Sequence, residues 1–164
     1  MIVYTIGYGI RAIGDFIDLL RRFQVECLAD TRSMPYSRFR PDFRKKALAE
    51  HLARAGIDYW YVGEALGGKK VDPACLVNGE VDLKKLYALP AFREAIDRVA
   101  ERAAEAQARG QALALMCAEQ RPEACHRAWM LAPPMEARGF SVRHIDERGA
   151  LKTQSEVQGL FADA

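Results

Sequence analysis

Apolar positions along this chain follow two periods in turn. Ile2–Ile6 is a short apolar run that stops at Gly7-Tyr8-Gly9, which predicts a buried strand entering a glycine turn. Ile13, Phe16, Ile17, Leu19, Leu20 and Phe23 then recur at helical spacing, and Val25–Asp30 is a second strand ending on Asp30-Thr31-Arg32. Phe43–Ala55 reads as a helix with Ala47, Leu48, Leu52 and Ala55 on one face and Gly56 closing it. Ile57–Val62 is a third, aromatic-rich strand that runs into Gly63-Glu64-Ala65-Leu66-Gly67-Gly68.

The longest helical pattern is Ala91–Arg109, with Phe92, Ala95, Ile96, Val99 and Ala103 inward. Glu94–Arg98 and Glu105–Arg109 support it as i,i+4 pairs, and Gly110 ends it. Ala112–Cys117 is a fourth strand. Pro122–Arg138 is predicted as a helix, begun near Pro122 and broken or kinked at Pro133-Pro134. Ser141–Ile145 is a fifth strand. Asp72-Pro73 and Asn78-Gly79 are turn signals inside 64–82, which reads as a surface loop or lid.

Strands alternating with helices predict an α/β fold of three layers, with a mostly parallel five-stranded sheet and helices on both faces, doubly wound and Rossmann-like. Residues 1–150 would form a single domain and 151–164 a polar C-terminal tail. In such sheets ligands sit beyond the C-terminal strand ends. Four of those ends carry polar or glycine-rich motifs: Gly7-Tyr8, Asp30-Thr31-Arg32, Gly63-Glu64 and Cys117-Ala118-Glu119.

Half of the 164 residues are apolar, and the 24 basic side chains nearly cancel the 22 acidic ones. A real core is affordable, but global charge selects no partner. The opening residues have no basic segment before an apolar one, and no run reaches the roughly 18 apolar residues of a membrane span. A cytoplasmic protein away from membranes is therefore expected, with its four cysteines reduced.

Candidate chemistry concentrates in Cys117–Arg127. Cys117 falls at a strand exit and Cys125 in the first turns of the predicted helix. Backbone N–H groups and a helix dipole there would attract an anion and favour a thiolate. Arg121 and Arg127 offer planar, two-pronged anion contacts, and Glu119, His126 and Asp30 are candidates for moving protons. The same cysteines also suit plain core positions. Structural zinc is disfavoured, because adjacent Cys125 and His126 point about 100° apart on a helix. Neither metal nor cofactor is expected. Arg32–Lys46 is the second feature: Arg32, Arg38, Arg40, Arg44, Lys45 and Lys46 against Asp42 alone, with Tyr36, Phe39 and Phe43 interleaved. That mixture suits phosphates and stacked bases, or simply a solvated loop with its aromatics turned inward.

Thr5-Ile6-Gly7, Asp30-Thr31-Arg32, Pro35-Tyr36-Ser37-Arg38, Leu66-Gly67-Gly68, and Cys117-Ala118-Glu119 with Pro122 and Cys125-His126-Arg127 occur in this order. In this the chain resembles the family of domains of unknown function numbered 488, over roughly residues 2–146. The resemblance implies a small intracellular α/β protein with these motifs gathered at one site, and supplies no reaction. Members commonly read Thr-Ile-Gly-His-Ser where this chain has Thr5-Ile6-Gly7-Tyr8-Gly9, so an imidazole and a hydroxyl are replaced.

Three readings follow. One is an enzyme on a phosphate-bearing nucleotide or nucleic-acid substrate, with Cys117 or Cys125 as nucleophile and Glu119, His126 or Asp30 moving protons. Thr5, Gly7, Tyr8, Arg32, Arg38, Glu64, Gly67, Gly68 and Arg127 would then bind the substrate. The second is a non-catalytic nucleotide or nucleic-acid binding module, and the third a redox or metal-linked protein using Cys117 and Cys125. The partner is an anionic small molecule or nucleic acid in the first two. Oligomeric state is left open.

Overall fold

A computed structural model describes residues 1–162. In chain order the elements are β1 (Ile2–Gly7), α1 (Ile13–Arg22), β2 (Val25–Asp30), α2 (Lys45–Arg54), β3 (Asp58–Tyr61), α3 (Gly63–Leu66), β4 (Leu76–Val77), β5 (Glu80–Val81), α4 (Leu83–Ala88), α5 (Pro90–Ala108), β6 (Ala112–Cys117), α6 (Ala132–Glu136), β7 (Ser141–Ile145), β8 (Leu151–Thr153) and α7 (Gln154–Ala162). The fold is α/β. Its central sheet has six strands in the order β3-β2-β6-β1-β7-β8, and all neighbours are parallel except the last pair.

The period-2 alternation of the strands divides the core in two. On one face α1 and α2 send Phe16, Leu20, Leu48 and Leu52 against Ile6, Leu28, Ala114 and Met116. On the other, α5 and α6 send Ile96, Val99 and Met135 against Val3, Ala29, Leu113 and Leu115. β6 is buried along its whole length, as a central parallel strand must be.

The connections leave a crevice beyond one end of the sheet. The chain leaves β1 and β2 toward the face carrying α1 and α2. It leaves β6 toward the opposite face, where Met130 and Leu131 pack. The end of β6 is thus flanked on both sides by strands whose exits diverge from its own, which is the topological switch where open α/β sheets leave room for ligands.

Four expectations need correction. The single helix over Pro122–Arg138 is instead a 3-10 turn at Pro122–Ala124, a π-helical stretch at Arg127–Leu131 and the short α6. Pro133 and Pro134 remove amide donors, and the wider π turn accommodates their neighbourhood. The five-stranded sheet gains a sixth strand. That strand, β8, and α7 occupy most of the expected polar tail, with Gln154 and Val157 buried; residues 163–164 lie outside the described residues. The segment 64–82 also carries structure: α3, a 3-10 turn at Pro73–Cys75, and the β4–β5 hairpin whose Asn78-Gly79 turn has φ of 53° and 80°. Positive φ at both central residues is what a tight hairpin turn requires.

Candidate functional site

The end of β2 builds the first wall. Asp30 is fully buried, and Arg32 doubles back over it. Arg32 Nε donates to Asp30 Oδ1 at 2.9 Å and Nη2 to Oδ2 at 2.8 Å, while the Arg32 amide also donates to Oδ1 at 3.1 Å. The Tyr59 hydroxyl adds a 2.6 Å bond to Oδ2, and its own pKa is pushed up by burial and by that carboxylate. Arg32 stacks over the Tyr8 ring, which lies against Phe43 at 4.4 Å between centroids. Burial disfavours the guanidinium charge, but Asp30 overrides this and holds the Arg32 pKa above its ordinary value. Arg32 Nη1 is left buried without a partner.

The end of β6 builds the second wall. Cys117 and Cys125 meet sulfur to sulfur as a disulfide, across a Cα–Cα distance of 7.3 Å. The loop between them is held from below and behind. A Cβ at Gly7 would sit 1.6 Å from the Glu119 carbonyl oxygen, so only glycine admits this backbone approach. Tyr8 and Gly9 amides donate to the Cys117 and Ala118 carbonyls. Arg127, also fully buried, donates from Nη2 to the Gln120 carbonyl at 2.9 Å. Burial, helped by Arg11, pushes the Arg127 pKa down to about 9.

The third wall is the turn after α3. Ser33 Oγ accepts from the Lys69 amide at 2.9 Å. Cβ atoms at Gly67 and Gly68 would strike Ser33 Oγ at 2.3 Å and His126 Cγ at 2.8 Å, so the paired glycines let this turn close onto both other walls. His126 lies with Nδ1 3.5 Å from Cys125 Sγ. Burial is the main reason its pKa falls to about 4, and the neighbouring Leu66 and Thr31 backbone offsets it only partly.

Between the walls is a cavity of about 380 Å³. Of the residues singled out from sequence, Arg32, Gly68, Cys117, Glu119, Cys125 and His126 line it. Asp30, Gly7, Tyr8 and Gly67 stand behind these and position them. Arg127 supports the loop from inside and does not reach the cavity lining. Arg38 and Glu64 are exposed and lie outside the lining. Thr5 is buried and committed to His144, its hydroxyl 2.7 Å from Nδ1; Nε2 of that imidazole meets Gln154 Oε1 at 2.7 Å, and Gln154 donates to the Ala128 carbonyl. His144, which has no visible companion in sequence, thus belongs to a buried chain tying β1, β7 and α7 together. Burial pushes its pKa down to about 4.

Ser33, Met34, Lys69 and Trp129 line the cavity without having been anticipated. Ser33 and Met34 adjoin Arg32 and Lys69 adjoins Gly68, so proximity to a motif was the available signal; Trp129 had none. After Cys125 the chain enters a helical run that is π-helical over Arg127–Leu131 and continues directly into α6, so Cys125 stands just before the start of this run and not within the first turns of a helix begun at Pro122. Among the described residues, no group of three or more His, Cys, Asp or Glu side chains is placed to hold a metal, and no helix is long and apolar enough to cross a membrane.

Comparison with known proteins returns the family model described as "Domain of unknown function DUF488", matched over residues 12–132. No curated protein and no solved structure matches the chain.

Proposed function

Starting from the fact that the chain belongs to the DUF488 family, a membership that assigns no reaction, we propose that it is a cysteine-dependent enzyme acting on a phosphate-bearing, nucleotide-class substrate. The observation that carries this reading is the shared lining of one cavity by Cys117, Cys125, Glu119, His126 and Arg32. Reacting group, proton acceptor and anion contact need to converge on one void, and cavities of this size suit small ligands.

Arg32 anchors the anion. Asp30 occupies Nε and Nη2, which fixes the guanidinium plane, and Nη1, buried and without a protein partner, meets a ligand oxygen once the side chains covering it shift. Lys69 adds a second positive charge at the rim. In the reduced enzyme one cysteine is the nucleophile. Its proton passes to Glu119, sulfur bonds to the electrophilic atom, and the leaving group departs with that proton. Water then cleaves the sulfur adduct and restores the thiol. His126, neutral at neutral pH, contributes a hydrogen bond and no charge. Reduced protein treated with iodoacetamide near neutral pH is expected to label at Cys117 or Cys125 well before Cys27, and a nucleoside monophosphate should slow that labelling in wild type but not in Arg32→Ala. Equal, slow labelling of all four cysteines would rule the nucleophile out.

The sulfur contact favours a second reading, a dithiol–disulfide exchanger. One thiolate attacks a substrate disulfide and releases one thiol; the other cysteine attacks the mixed disulfide and releases the second. Two electrons pass from the pair to the substrate, and Cys117 and Cys125 end as the disulfide. Turnover of a small disulfide that needs both cysteines would select this reading over the first.

A further inference from the structure

Beside the cavity, the segment from Met34 to Arg44 leaves large apolar and aromatic side chains in solvent. Phe39 is 81% exposed, Met34 62% and Tyr36 55%, and Ile10, 83% exposed, is joined to them through its carbonyl, which accepts from Arg40 Nη1 at 3.1 Å. Met34 and Tyr36 also line the cavity, so this surface is continuous with it.

Its charge is unbalanced. Arg40 donates to the Ile10 and Arg11 carbonyls, and Arg44 to those of Ser37 and Arg38. These bonds fix the loop's shape without neutralising either guanidinium. Among the described residues, no ion pair includes Arg38, Arg40, Arg44, Lys45, Lys69 or Lys70. The nearby Asp42 is engaged with His51 at 2.9 Å. Cations also back the rings: Arg44 lies 4.8 Å from the Tyr36 centroid and Arg38 5.3 Å from that of Phe39.

From this juxtaposition we infer that Ile10 and the 34–44 loop, with Lys69 and Lys70, form a docking surface for single-stranded nucleic acid that leads into the Cys117–Cys125 cavity. Unpaired cations meet a phosphate backbone, and exposed rings meet base faces. A duplex keeps its bases stacked on one another and cannot use the rings. An acidic protein segment would satisfy the cations but does not present a flat base at each repeat for the rings to stack on. The inference deepens the proposed function by naming a strand as the substrate class, and rests on that reading only in placing one nucleotide of the strand in the cavity.

The test is fluorescence anisotropy with a labelled oligothymidylate of about 12 nucleotides, on wild type, on Cys117→Ser/Cys125→Ser and on Tyr36→Ala/Phe39→Ala. Wild type and the cysteine variant are expected to bind alike, and more tightly than they bind a duplex of equal length. Tyr36→Ala/Phe39→Ala should bind at least about 10-fold more weakly, since two base–aromatic stacks are lost. Arg38→Ala should reduce the log–log salt slope by about 0.7. These side chains are exposed, and unchanged unfolding midpoints would show the variants folded. Equal binding of the duplex, equal competition by polyglutamate, or unaltered binding by the aromatic variant would each overturn the inference. Wild-type Cys117 and Cys125 labelling no faster than Cys27, with strand binding intact, would count against the chemistry alone.

Discussion

Asp30 and Arg32 face each other through two parallel hydrogen bonds, with both side chains withdrawn from solvent. Two residues apart on one strand exit, they form a fixed plate on which the rest of the site is assembled. A buried pair of this kind does not by itself signal stability, but removing one member leaves the other charged and unsolvated. Asp30→Asn is therefore expected to cost about 3–5 kcal/mol in urea unfolding, and to release Tyr59 as well. A loss below roughly 1 kcal/mol would mean that the plate relaxes into water without it.

Gly7→Ala tests the backbone approach between β1 and the loop after β6. The added carbon would stand 1.6 Å from the Glu119 carbonyl oxygen, with no flexible side chain to yield. Overpacking of this kind costs typically about 1–3 kcal/mol, and the loop carrying Glu119 must shift, so thiol labelling at the cavity should change too. Gly14→Ala is the matched control. It sits in α1 with nothing within 4 Å of the added carbon, so it should be neutral or stabilise by up to about 1 kcal/mol.

The strand ends that carry the site were legible because period-2 runs stopped abruptly at polar or glycine motifs. Asp30-Thr31-Arg32 and Cys117 could each be placed at a C-terminal strand end, whereas their being neighbours follows only from the strand order, in which β2 lies beside β6. What the sequence could not separate was contact from support. Arg127 and Arg32 look alike as arginines near a motif, yet Arg32 lines the cavity, whereas Arg127 is fully buried behind the loop and donates to the Gln120 carbonyl. The chain end was misread for a related reason. β8 is only three residues long, and its pairing with β7 depends on Asp146 accepting from the Arg148 and Ala150 amides to form the turn, a local capping pattern with no hydrophobic period.

Acid should weaken the fold through two histidines. His126 and His144 have folded pKa values near 4, below the ordinary 6.5, chiefly through burial. Between those values the unfolded chain binds protons that the folded chain refuses. Stability is therefore full above about pH 6.5, falls as pH drops toward 4, and changes no further from these groups below that. The slope is at most about 1.4 kcal/mol per pH unit for each histidine. Urea midpoints measured from pH 7 to 4 should show this decline, and His144→Gln should flatten it. An identical slope in the variant would assign the acid sensitivity to other groups.

The four cysteines should divide into two pairs by chemistry. Cys27 and Cys75 are buried and free, and burial pushes the Cys27 thiol up to about 11, so neither reacts readily while the protein is folded. Cys117 and Cys125 are also largely covered, but they line the cavity and meet each other there. Protein purified without reductant and denatured in a thiol-reactive dye is expected to show two reactive thiols per chain, rising to four after reduction, and tryptic mapping should assign the difference to Cys117 and Cys125. In the reduced, folded protein the same two should label first. Four thiols before reduction would make the pair a dithiol in the isolated protein, which favours the nucleophile over the exchanger, because an exchanger left in air should rest oxidised.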